Sequence, residues 1–121
     1  MSTKPKAFFL MRLNDHIQYL KKIEKRLKEE NDFAGSSYKE CKLGKWLYGE
    51  GGHEVACLNN KEAQEIFDSL FEPHQRFHEA SSQALERYQS GDASGAHQAI
   101  TEMYIFSRII TQKLLQLDAM S

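Results

Sequence analysis

The sequence is poor in residues that interrupt or cross-link a chain. Its 121 residues include two prolines, seven glycines and two cysteines. Two thiols exclude a disulfide framework, and so few breakers leave room for long uninterrupted helices. Charge of one sign is also lacking. Sixteen Lys and Arg against seventeen Asp and Glu leave a net charge of -1, which argues against a strongly basic nucleic-acid-binding or membrane-surface protein. No membrane segment is visible either. The apolar run from Ala7 to Met11 falls far short of the roughly 20 residues of a spanning helix and is too short for a signal sequence. The expectation is a cytoplasmic protein with no nucleic-acid or membrane partner. A composition of 40% hydrophobic and 27% charged residues is that of a soluble globular chain rather than a disordered one. The length suits a single domain over residues 1–121. Five histidines and two cysteines are then the set in which any chemistry must lie.

The hydrophobic pattern is helical throughout. Phe9, Leu13, His16, Leu20, Ile23 and Leu27 step by four and three, which predicts a first helix from about Pro5 to Glu30 packed against other helices. Lys21, Lys22, Glu24, Lys25, Arg26, Lys28 and Glu29 form its solvated face. Asn31–Ser37 reads as a connection. A short helix is predicted to open at Ser37, where Ser37 and Glu40 fit a capping box. It places Cys41 in its first turn and ends by Gly49, with Gly51, Gly52 and His53 in a loop. A third helix starts at Asn59 or Asn60, either of which can cap it. Its seam is Ala63, Phe67, Leu70, His74, Phe77, Ser81, Ala84 and Tyr88. Pro73 inside this run is expected to kink or divide it. Ser90-Gly91-Asp92 is a turn. A last helix, capped by Asp92 or Ser94, carries the seam Ala96, Ile100, Met103, Ser107, Ile110, Leu114 and Leu117. The expected fold is all-α: an antiparallel up-down four-helix bundle with one short helix.

Polar residues inside the seams carry the functional signal. His74 and His78 are four residues apart, a spacing that puts two imidazoles on one helix face. His16 occupies a seam position of the first helix. A single histidine on an apolar face is ordinarily a core residue with hydrogen-bond partners. Three imidazoles directed into one core need three sets of partners unless a cation takes their lone pairs. Tetrahedral zinc then needs a fourth ligand. Cys41 is the better candidate, because a first-turn position with Lys39, Lys42 and Lys45 nearby favours the thiolate. Cys57 and His53 are candidates only for a separate, weaker site, and His97 has no assigned role.

Cys41-Lys-Leu43-Gly44-Lys-Trp46-Leu47 resembles the Cys-x-Leu/Phe-Gly-x-Trp signature of the chemoreceptor zinc-binding domains. That family pairs the signature with an upstream histidine, here His16, and a downstream His-x-x-x-His, here His74 and His78. The resemblance covers nearly the whole chain, with all four positions filled in order. It implies a four-helix bundle holding one zinc ion per chain by His16, Cys41, His74 and His78. It also implies homodimers, a regulatory role in bacterial chemoreceptors or diguanylate cyclases, and a response to hypochlorous acid as well as zinc. The motif has a physical reading beside this. Gly44 lets the short helix approach a neighbour closely, and Leu43, Trp46 and Leu47 anchor it.

Four protein ligands close a zinc tetrahedron, whereas a catalytic zinc keeps one position open. The chain is therefore expected not to be an enzyme. A closed site suits a structural staple or a sensor, and the short helix, tied by Cys41 alone, is the joint expected to respond to metal loss. No output domain fits in 121 residues, so the chain acts in trans on a partner or is a part of a larger protein; the opening Met1-Ser2-Thr3-Lys4 favours the first. Two other readings are open. A hemerythrin-like di-iron bundle needs more ligands, and its HxxxE motif is missing, since Leu20 follows His16 by four. A plain helical interaction module with structural histidines would bind no metal.

Overall fold

A computed structural model of the protein describes residues 7–28 and 35–121. These form α1 (Ala7–Lys28), α2 (Lys42–Leu47), α3 (Gly51–Ala56), α4 (Lys61–Asp68), α5 (Phe71–Gln89) and α6 (Ala93–Ala119). No strand occurs among the described residues. The fold is an all-α bundle, as the periodicity predicts, but it has six helical segments where the sequence suggests four.

The long helices follow their seams. In α1, Phe9, His16 and Ile23 are buried, with Leu13, Leu20 and Leu27 packed partly against the same core. Lys25, Arg26 and Lys28 fall in its last turn, where cations complement the partial negative charge of the carbonyl ends. The predicted ends of this helix at Pro5 and Glu30, and most of the Asn31–Ser37 connection, lie outside the described residues. α6 buries Ala96, Met103, Ser107, Ile110, Leu114 and Leu117. Asp92 is its cap and accepts from Gly95 N at 2.9 Å. Gly91 supplies the left-handed turn before it, at φ 82°, which favours glycine. α5 packs along α6 more extensively than any other pair, and α1 also rests on α6.

Two departures have physical causes. The predicted third helix divides into α4 and α5 at Ser69–Leu70. In an unbroken helix Pro73, having no N–H, would leave the Ser69 carbonyl without its donor. The chain instead restarts so that Pro73 falls in the first turn of α5, where N–H groups have no helical partner in any case. Asn60 caps α4, accepting from Ala63 N at 3.1 Å. Tyr88, expected on the seam, is exposed instead.

The second departure is at Gly51–His53, predicted as a loop, which lies within α3. Gly51 is buried, and a Cβ there would meet the Trp46 carbonyl oxygen at 2.6 Å. Val55 plugs α3 into the core at 1% exposure. Trp46 Nε1 donates to the Glu54 carboxylate, fastening α2 to α3.

α2 is brief but well anchored. Leu43, Trp46 and Leu47 are buried, each worth about 1.5–3 kcal/mol in removal from water. Trp46 meets Phe9 of α1 edge-on at 6.0 Å and Phe67 of α4 at 5.5 Å between ring centroids. The capping box does not form as predicted. Ser37 Oγ donates to Glu40 Oε1 at 3.1 Å, and the backbone makes a turn, with Glu40 N bonded to Ser37 O at 3.0 Å. Helix α2 starts later, and Cys41 is its N-cap rather than a first-turn residue.

Candidate metal centre

The chemistry of Cys41 starts from its place at the N-cap. Its sulfur accepts the Gly44 amide at 3.2 Å, doing for α2 what a Ser or Asp oxygen does at most helix starts. This arrangement requires Gly44. A Cβ at that position would stand 1.9 Å from the Tyr38 carbonyl oxygen, so the close approach is to the preceding turn and not, as expected, to a neighbouring helix. The signature glycine thus serves the cysteine directly.

His74 and His78 project from α5 one turn apart, with ring centroids 4.8 Å apart and planes at 77°. His74 Nε2 lies 3.3 Å from Cys41 Sγ. One ligand atom each from Cys41, His74 and His78 lies within 4.8 Å of the others. Donors on one tetrahedral zinc stand roughly 3.3–3.7 Å apart at the usual bond lengths, so a small contraction brings the three onto one ion. His74 is fully buried, and its Nδ1 has no hydrogen-bond partner among the described residues. Buried polar atoms are rarely left so, and a pair of neutral imidazoles beside a thiol is a donor set that suits zinc. These residues fit the metal.

His16, the fourth predicted ligand, is buried at 3% exposure but stands outside this three-member group. Its Nε2 is hydrogen-bonded to Ser107 Oγ of α6 at 2.8 Å, and its ring lies against Phe77 at 4.7 Å. It faces the same interior, since its charge would act on His74 and that of His78 on it. His53 and Cys57 form an exposed pair on and beside α3, with Nε2 and Sγ 3.9 Å apart, and His97 is exposed; none joins the cluster.

Burial sets the protonation of the site. It lowers His16 to about 4, helped by His78. It lowers His74 to about 3, helped by His78 and then His16. It also lowers His78 to about 4, against the opposing hydrogen bond to Ser36. All three imidazoles are therefore neutral at pH 7 and carry the lone pair a metal needs. Cys41 goes the other way from the sequence expectation. Burial raises its thiol above the ordinary value, only partly offset by the Gly44 and Leu43 amides. Of the three lysines expected to help, Lys39 is engaged elsewhere, its Nζ lying over the Tyr38 and Tyr48 rings at 5.9 and 5.5 Å. A cation at the site would favour the thiolate against this burial.

Sequence reasoning missed three residues around the cluster. Ser107 had a signal, because it is a polar residue on the α6 seam. Tyr19 and Ser36 had none that periodicity could reveal. Ser36 acts through its carbonyl, which accepts from His78 Nδ1 at 3.0 Å.

An all-α bundle that brings a half-buried thiol and two buried imidazoles together has a donor set that fits zinc. The sequence pattern described as the chemoreceptor zinc-binding domain matches residues 16–85, more than half of the chain, including His16, Cys41, His74 and His78. The chain belongs to that family. No curated protein and no solved structure gives a significant match.

Proposed function

We propose that the chain is a zinc-responsive regulatory domain that holds one Zn²⁺ per chain through His16, Cys41, His74 and His78. The observation that carries this reading is the convergence of Cys41, His74 and His78 within 4.8 Å from elements that are far apart in sequence. His16 completes the tetrahedron by leaving Ser107 or turning its other nitrogen inward. A site closed by four protein ligands has no open position for substrate, so the role is regulatory and not enzymatic. The domain works as a homodimer in the cytoplasm, on a chemotaxis or cyclic-di-GMP signalling partner. No helix among the described residues is long and apolar enough to cross a membrane.

The likeness of the site to a sensor rests on its uneven attachment. Zinc ties α2 to α5 through one sulfur; without it, α2 is held by packing and by the Trp46–Glu54 hydrogen bond. Loss of the ion loosens residues 37–50, and the partner reads that change. A bound thiolate also remains open to oxidation. Hypochlorous acid converts it to a sulfenic acid, a poor ligand, with release of chloride.

Metal analysis of the purified protein, repeated on Cys41→Ala and His78→Ala, tests this. One zinc per wild-type chain, lost in both variants, is the expected result. Two irons per chain would make the protein a hemerythrin-like bundle instead. Zinc-supplemented protein that retains no metal would leave only a plain interaction module. Oxidant that releases zinc from a chain whose Cys41 stays unmodified would remove the redox part of the proposal.

A further inference from the structure

The three residues of the cluster are not equally constrained. His78 is the one whose orientation can be traced outward through named atoms. Its Nδ1 lies 3.0 Å from the Ser36 carbonyl oxygen. A carbonyl can only accept, so Nδ1 carries the proton, and Nε2 is the nitrogen left with a lone pair. The orientation of the ring therefore depends on where the Ser36 carbonyl is held.

Ser36 lies in an irregular stretch just before α2, and no helix or sheet ladder fixes its peptide groups. Tyr19 of α1 does so from both sides. Its hydroxyl accepts the Ser36 amide at 3.0 Å and donates to the Ser36 carbonyl at 3.3 Å. The Ser36 oxygen thus uses its two lone pairs on Tyr19 and His78 together. Burial raises the Tyr19 phenol above its ordinary value, so the hydroxyl keeps the proton it donates. The Tyr19 ring also packs on the His78 ring at 4.7 Å and on Phe77 at 6.0 Å. The preceding residue shares the fit. Gly35 has φ 82°, and a Cβ there would stand 3.2 Å from the Tyr19 hydroxyl. The stretch carrying the acceptor is shaped around this one phenol.

We propose that Tyr19 is a positioning residue for the metal centre: by clamping the Ser36 peptide it fixes the tautomer and the aim of His78, presenting Nε2 to Cys41 and His74. The hydrogen bonds behind a histidine ligand set its tautomer and basicity, and removing such a partner weakens metal binding by about 10–100-fold. Tyr19 acts one step further out, through a backbone carbonyl. It also joins α1 to the stretch that leads into Cys41, so the same hydroxyl steadies both the imidazole and the approach to the thiol. The proposal rests on the zinc reading only for its second readout.

The test is Tyr19→Phe, which keeps the ring and removes the hydroxyl, with Gly35→Ala as a second approach to the same contact. Imidazole nitrogen shifts, recorded by NMR on metal-free protein, should report His78 protonated at Nδ1 in the wild type and a mixture of tautomers in Tyr19→Phe. Zinc affinity, from competition with a chelator, should fall by about 10-fold, the lower end of the range for a direct partner, in both variants while the chain stays folded by circular dichroism. An unchanged His78 tautomer in Tyr19→Phe would overturn the proposal, whatever zinc does. A shifted tautomer in a protein whose wild type binds no zinc would uphold the clamp and remove the zinc reading instead. If Gly35→Ala lowers affinity and Tyr19→Phe does not, the loop is required and the phenol is not, which also overturns it.

Discussion

The two sides of the centre are built by opposite means. His74 and His78 sit on α5, a helix of 19 residues packed along the 27-residue α6. Their separation is a property of helical geometry, and nothing short of unwinding α5 alters it. Cys41 caps a helix of 6 residues, too short to be stable by its own hydrogen bonds. The sulfur is where it is because Leu43, Trp46 and Leu47 are buried and because Gly44 leaves space for the turn behind it. One side is positioned by regular secondary structure and the other by side-chain packing. A centre assembled in this way has a fixed half and a conditional half, and perturbations should separate them.

Acid should act most strongly, and on the imidazole side. His16, His74 and His78 have folded-state values near 4, 3 and 4, all below the ordinary 6.5. Between these limits the unfolded chain binds more protons than the folded one, so stability rises with pH. The metal-free protein is expected to hold full stability above about pH 6.5 and to lose it progressively as pH falls towards 4 and 3. One such imidazole accounts for roughly 3 kcal/mol at about 1.4 kcal/mol per pH unit, and mutual repulsion makes three of them less than additive. Denaturant titrations of the metal-free protein at stepped pH measure this. A stability that is flat from pH 7 to 4 would mean that the imidazoles are not buried together.

Replacing the main anchor of the thiol side comes next. Trp46→Ala removes a side chain 5% exposed, together with the Phe9 and Phe67 contacts. It should cost about 3–5 kcal/mol and lower zinc affinity with it. Far-ultraviolet circular dichroism should keep the signal of the long helices. Affinity equal to wild type in a folded Trp46→Ala protein would show that packing does not position Cys41.

Gly44→Ala has the smallest expected effect on stability and the most local one. The new methyl meets the Tyr38 carbonyl, so the turn before α2 must open, at about 1–3 kcal/mol. The Gly44 amide then leaves the Cys41 sulfur. Zinc binding should weaken while the hydrogen-exchange protection of α5 is retained. Loss of protection in α5 as well would show that the two sides are not independent.

The same division explains what could be read from sequence. The seams of α1, α5 and α6 were legible because a 3.6-residue period records burial residue by residue, and His16 and His74 stood out as polar residues within it. Cys41 and Gly44 were legible as a motif. The detail that Cys41 caps α2 was not, because the Ser37 and Glu40 pair mimics a helix start four residues early and bonds to itself. α3 was hidden by Gly51 and Gly52, which suggest a turn; one is in fact small because the Trp46 carbonyl is close. The raised thiol of Cys41 could not be read from the nearby lysines, since charge in sequence does not tell which way a flexible ammonium points. Tyr19 was beyond reach because its partner is a peptide group, which any residue would supply.

The family pattern ends at residue 85, within α5, and leaves the whole of α6 unmatched. Yet Met103, Ile110, Leu114 and Leu117 of that helix are fully buried, and Ser107 holds His16. The border of the matched pattern therefore does not coincide with the border of the packed core. A chain cut at residue 85 would keep every predicted ligand and lose the helix on which α1, α4 and α5 all rest, together with the Ser107 partner of His16. The predicted ligands lie inside the matched span, while part of the core that houses them comes from a helix outside it.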